Sequence, residues 1–120
     1  MIKIKNAYEL SAIDDGHRVL CERKWPKAMN ESSSAIDEWA KELSPSMELE
    51  AWYSYDPDLW EGFQRKYLNE LKHNKEALRF VDKHKGSPTI TLLYTTTHNI
   101  NNPALVLQQF LKQQLEDITE

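Results

Sequence analysis

The stretch His17-Arg18-Val19-Leu20-Cys21-Glu22 decides the fold. Val19, Leu20 and Cys21 are apolar without alternation, the pattern of a strand covered on both faces. Asp15-Gly16, just before them, makes a turn. A second run, Thr89 to Tyr94, is rich in β-branched and aromatic residues and also reads as a strand. The long segment between the two carries helical patterns. A helical excursion between two buried strands favours a parallel crossover. The expectation is an α/β layered fold with a small, mostly parallel sheet, in a single domain covering residues 1–120.

Working outward, Ile2 and Ile4 alternate with Lys3 and Lys5, which suits a half-buried strand. Residues 24–34, broken by Pro26, read as irregular. Ser34, with Asp37 three residues on, gives a capping-box pattern, and Ile36, Trp39, Ala40 and Leu43 follow at helical spacing. The spacing predicts a helix that ends at Pro45. A short second helix carries Leu49, Trp52 and Tyr53. Asp56-Pro57 is a restart signal, a capping carboxylate followed by proline at the first helical position. Trp60, Phe63, Tyr67 and Leu71 make a stripe along the helix it opens. The aromatic residues Trp39, Trp52, Trp60, Phe63 and Tyr67 are read as core. Asn74 caps a further helix with Ala77, Leu78 and Val81, stopped by Gly86. After a polar loop, Thr95 to Asn101, Asn102-Pro103 opens a last helix whose apolar face is Val106, Leu107, Phe110 and Leu111.

Composition narrows the function classes. The 120 residues match one domain of ordinary size, and a 40% hydrophobic share supports a core. The net charge of −4 and the interleaving of Lys and Arg with acids argue against nucleic-acid binding, which needs a basic surface. The single cysteine, Cys21, rules out an internal disulfide and a cysteine-based metal site. It lies in the buried strand and reads as a structural thiol. Met1-Ile2-Lys3-Ile4-Lys5 lacks the apolar stretch of a signal peptide, and no run reaches membrane-spanning length. The expected address is cytoplasmic, with no membrane partner.

Ligands of open α/β sheets bind beyond the carboxyl ends of the strands. Two such ends are visible, Glu22 to Lys27 and Thr95 to Asn99. Arg23 and Lys27 there are candidates to hold an anion, helped by the amino end of the last helix at Asn101 and Asn102, whose dipole favours negative charge. Both cations could equally pair with acids such as Glu22 or Glu31. Trp25 and Tyr55 are candidate apolar walls, though an aromatic such as Trp25 also serves as a packing residue. Asn102 doubles as a helix cap. His98 could act as an acid or base, or simply be solvated. The histidines at 17, 73, 84 and 98 show no metal-ligand spacing, and no metal is expected. Glycine-rich phosphate cradles and the nucleophile-elbow motif are absent, so no cofactor is expected either.

Asp15-Gly16-His17-Arg18-Val19-Leu20, then Glu22-Arg23-Lys24-Trp25-Pro26-Lys27, resembles the opening signature of the YeaO-like family of bacterial proteins of unknown function, Asp-Gly-x-Arg-Val-Leu-Val-Asp-Arg-x-Trp-Pro-Arg-Gly. Trp39-Ala40-Lys41-Glu42-Leu43-Ser44-Pro45-Ser46 resembles its Trp-x-Lys-x-Leu-x-Pro-Ser stretch. Phe63, Tyr67, Glu70 and Leu71 match its middle helix, and Thr91-Leu92-Leu93-Tyr94 its Thr-Leu-Leu-Tyr strand. The resemblance implies a small α/β domain with no established reaction. The chain departs from the pattern at Glu22, Lys27-Ala28, Glu31, Tyr55 and Asn101-Asn102. Two family histidines and two cationic positions are altered among these.

Two functions compete at this point. One is a site for a small anionic molecule at the strand ends, holding Arg23, Lys27 and Asn102 together. The other is a non-catalytic module acting through protein contacts, for example as a homodimer.

Overall fold

The computed structural model of the chain describes residues 1–25, 35–95 and 101–119, with the side chains of 116–119 left aside. Four strands, β1 (Ile2–Asn6), β2 (His17–Leu20), β3 (Glu38–Trp39) and β4 (Ile90–Tyr94), form one sheet in the order β1-β4-β2-β3. Every pairing is parallel. The described residues also hold four α-helices: α1 (Met47–Tyr53), α2 (Trp60–Lys72), α3 (Lys75–Lys83) and α4 (Pro103–Thr119). The α/β expectation and the parallel crossover hold.

Strand alternation sends the two faces to different fates. Ile2, Val19, Cys21, Ile90 and Leu92 join Phe63, Tyr67, Leu71, Val106 and Phe110 in one core, so the helices pack on that face. Leu20 and Leu93 face the other way. Ala7, Trp25 and Ile36 cover them, not a helix. The same second face carries Lys3, Lys5 and Arg18 around the buried Asp15. Arg18 Nη1 donates to Asp15 at 2.5 Å, Lys5 Nζ at 3.2 Å, and the Ala12 N–H at 2.9 Å. Burial alone would raise the Asp15 pKa, but these donors outweigh it and hold the carboxyl far below its usual range. Thr91 Oγ1 donates to the Asp15 carbonyl at 2.6 Å, tying the turn to β4.

Caps legible in the sequence form as expected. Asn74 Oδ1 accepts from the Glu76 N–H, Asp56 Oδ1 from the Asp58 N–H, and Asn102 Oδ1 from the Ala104 N–H. Pro57 opens a short 3-10 turn, Pro57–Leu59, that leads into α2.

Helical spacing misleads between Ile36 and Leu43. That segment is not an α-helix; it holds β3 and then a 3-10 turn, Lys41–Leu43. The open edge of β2 captures the backbone first. The Asp37 N–H donates to the Arg18 carbonyl and the Ala40 N–H to the Leu20 carbonyl, at 2.9 and 2.8 Å. An N–H already bonded to a neighbouring strand cannot serve a helix. Ser34, the expected cap, lies outside the described residues.

Trp39 and Trp52 are not core residues either, at 38% and 42% exposure. Trp39 Nε1 instead donates to the Glu22 carbonyl at 2.7 Å. The Trp52 ring lies over Gly62, where a β-carbon would come within 2.9 Å of it. Leu78 is exposed as well, and Phe80 takes its place on the buried face of α3. Among the described residues no helix is long and apolar enough to cross a membrane.

Candidate functional site

The carboxyl ends of β2 and β4 meet through one side chain. Glu22 accepts from the Thr95 N–H at 2.6 Å and from Thr95 Oγ1 at 2.5 Å. Beside this clamp a cavity of about 410 Å³ opens between the strand ends, α1, α2 and the start of α4. The size is that of an ordinary small-molecule site. Its walls are mostly apolar and aromatic, with Tyr53, Phe63, Tyr67 and Tyr94 among them. Phe63 stacks on Tyr53 with ring centres 4.4 Å apart.

The polar lining of the cavity includes Glu22, Arg23, Lys24, Glu50 and Asn102, and several hydroxyls are committed. Tyr53 Oη donates to the Asn101 carbonyl at 3.0 Å and Tyr67 Oη to the Leu43 carbonyl at 2.5 Å. Burial raises both phenol pKa values, so the hydroxyls stay protonated donors. Cys21 also lines the cavity, and its thiol is pushed well above the ordinary range, first by burial and then by Glu22 and Glu38. A thiol held protonated is a poor nucleophile. Burial likewise raises the Glu50 pKa, against the pull of Arg23.

Arg23 is the guanidinium of the cavity wall. Its Nη2 donates to the Pro45 carbonyl and lies 3.8 Å from Glu50. Its Nε is buried and meets no acceptor among the described residues. Buried donors are nearly always paired, so an orphan here asks for an explanation.

Of the residues singled out from sequence, Arg23, Tyr55 and Asn102 line this cavity. Tyr55 has a positive φ of 56°, as does Ser54 before it at 43°. Trp25 is not among the lining residues; its ring packs edge-on against Trp39, 5.4 Å away. Asn101 contributes its carbonyl to Tyr53. Lys27 and His98 lie outside the described residues. The amino end of α4 offers less than its position suggests. Pro103 has no N–H, and the Ala104 and Leu105 N–H groups are taken by the Asn102 side chain and carbonyl. Tyr53, Phe63 and Tyr67 were legible only as core, because the helical stripe that packs also walls the cavity.

A second cluster stands at the opposite, amino end of the strands. Glu38 Oε1 lies 2.9 Å from His17 Nε2 and 3.1 Å from His84 Nε2. Burial lowers the His84 pKa. For Glu38, burial would raise it, but hydrogen bonds from His17, Lys83 and His84 prevail and lower it. These three residues can present donor atoms to one metal ion.

The family described as the inactive DUF488-N3 subclade matches residues 1–120. The uncharacterised protein YeaO of Escherichia coli strain K12 is 37% identical over 112 residues, 92% of this chain and 96% of its own length. The chain belongs to the YeaO-like family. The uncharacterised protein Rv3073c of Mycobacterium tuberculosis strain H37Rv is 34% identical over 110 residues, 92% of each chain. The uncharacterised protein Mb3100c of Mycobacterium bovis is similar to the same degree. No solved structure matches.

Two of the departures of this YeaO-like chain from the family pattern, Glu22 and Tyr55, line the cavity, while Lys27, Ala28 and Glu31 lie outside the described residues. Glu22, in place of the family's aspartate, is the residue that clamps Thr95. Tyr55, in place of a histidine, stands at the cavity wall, and Asn101, in place of a second histidine, gives its carbonyl to Tyr53.

Proposed function

We propose that the chain is a non-catalytic binding domain whose cavity takes a small molecule with a flat apolar body and one anionic group. The observation that carries this reading is the Arg23 guanidinium on the wall of an aromatic cavity at the strand ends, with a buried Nε that meets no acceptor among the described residues. An anion beside the Arg23 guanidinium would gain a charge-assisted hydrogen bond, and a small turn of the side chain would bring the orphan Nε to it. Tyr53, Phe63 and Tyr55 would face the apolar body. The non-catalytic part rests on the protonated Cys21 and on the subclade's description as inactive.

A thermal-shift screen tests it, with benzoate and phenyl phosphate as first probes. A ligand that binds only the folded chain raises the melting temperature in proportion to its saturation. The rise is expected with the wild type, reduced in Arg23→Lys, which loses the planar fork, and lost in Arg23→Gln. An equal shift in wild type and Arg23→Gln would contradict the assignment of Arg23. No shift with any aromatic carboxylate or phosphate would contradict the whole reading.

A second reading, contact with another copy of the chain, is supported by Leu10 at 91% exposure and the fully exposed Ile13, both in the segment after edge strand β1. Sedimentation of a monomer at all concentrations would remove it.

A further inference from the structure

We infer that His17, Glu38 and His84 form a site for one divalent cation of the zinc type, at the end of the sheet away from the cavity. The topology brings them together. Val19 faces the helices, and His17 lies two residues before it on the same strand face. Glu38 is the register partner of Val19 on β3, so it shares that face. Helix α3 packs there and ends at His84, whose N–H bonds to the Phe80 and Val81 carbonyls. Three separate elements thus deliver three ligands to one point.

The spacing suits a metal. A tetrahedral ion with bonds of ~2.0–2.1 Å has donor atoms about 3.3 Å apart. Glu38 Oε1 lies 2.9 and 3.1 Å from the two imidazole Nε2 atoms, and no two of the three donor atoms are more than 4.8 Å apart. Small rotations of the part-exposed His17 and Glu38 side chains would close the set. The His84 side chain is 7% exposed and anchored by the Phe80 ring 4.3 Å away, while Glu38 and His17 are 19% and 32% exposed. The site is therefore fixed on one side and reachable from solvent on the other.

Outer contacts are also in place. Lys83 Nζ holds the other carboxylate oxygen, Oε2, at 3.1 Å and leaves Oε1 for the ion. Such partners orient ligating carboxylates. Each imidazole would carry its proton on Nδ1 and present the Nε2 lone pair. Two imidazoles and one carboxylate favour zinc and its late first-row neighbours over magnesium or calcium, which take oxygen ligands. Three protein ligands leave a fourth position for water. The ion would pin the two-residue strand β3 to β2 and α3.

The same trio without an ion is a carboxylate held by two imidazoles and an ammonium, and experiment separates the two. Chelator-stripped protein is titrated with zinc chloride by calorimetry. One zinc per chain is expected, with a rise in melting temperature and no binding of magnesium. His17→Gln and Glu38→Gln, checked for folding by circular dichroism, are each expected to lose at least about tenfold in affinity, and His73→Gln none. Zinc X-ray absorption of the wild-type complex, which needs no variant, is expected to show two imidazoles. Absence of saturable binding, or wild-type affinity in His17→Gln and Glu38→Gln, or fewer than two imidazoles, would overturn the site.

Discussion

The Glu22 carboxylate joins the ends of two strands that are far apart in sequence, taking both the N–H and the hydroxyl of Thr95 at 2.6 and 2.5 Å. Both residues line the cavity, so the clamp stands at its rim. Glu22→Ala would leave two donors unmatched and is expected to destabilise the chain by about 1–3 kcal/mol. Glu22→Gln keeps one acceptor and should lose less. Urea unfolding of the two variants decides between them, and equal midpoints with wild type would mean that the clamp is idle.

Asp15 carries a pH dependence of defined sign. Its folded pKa lies far below the unfolded value of about 3.9, so its stabilisation is complete above that value and fades as pH falls from there toward the folded pKa. Asp15→Asn strips a buried ion network of its acid and is expected to lose about 3–5 kcal/mol at neutral pH. The gap between variant and wild type should be constant from pH 7 to 5 and shrink below about 4. Urea midpoints across that range measure it.

Gly16 is fixed by contact as well as by conformation. Its φ is +65°, and an added β-carbon would stand 2.3 Å from the Thr89 carbonyl oxygen. Gly86 has φ +85° with open space around it. Gly86→Ala should cost about 1–2 kcal/mol from the left-handed backbone alone. Gly16→Ala must also displace a backbone carbonyl that accepts from the His17 N–H, so its loss is expected to be clearly larger. Thermal unfolding of both variants gives the comparison.

The sequence carries much of this fold in local signals. Val19-Leu20-Cys21 and Thr91-Leu92-Leu93 announce buried strands because apolar runs of that length need cover on both faces. Asp56-Pro57, Asn74 and Asn102-Pro103 announce helix starts because their side chains and fixed φ act within one turn. The failure at Ile36 to Leu43 has a different origin. A 3.6-residue period there is outvoted by the free edge of β2, a partner that no window of local sequence contains. Trp39 and Trp52 mislead for a related reason. A large aromatic can satisfy itself at the surface, by an indole hydrogen bond or by covering a glycine, and its size says nothing of depth.

The candidate sites divide along the same line. Arg23 is reachable from the rule that strand ends bind ligands, Asn102 from the amino end of the last helix, and Tyr55 from its place in the family pattern. The aromatic wall hides inside an ordinary amphipathic stripe. His17, Glu38 and His84 share no spacing at all, since only the register of β2 with β3 and the end of α3 bring them within reach.

The most direct test of the cavity reading is a heteronuclear magnetic resonance titration with benzoate and phenyl phosphate, following the Arg23 Nε–H and the amides of Thr95 and Ala104. Saturable shifts confined to those signals and to the walls of the cavity, with the Arg23 Nε–H moving furthest, are the expected result. Signals that stay still for both probes, or that move evenly over the surface, would contradict a binding site at the strand ends.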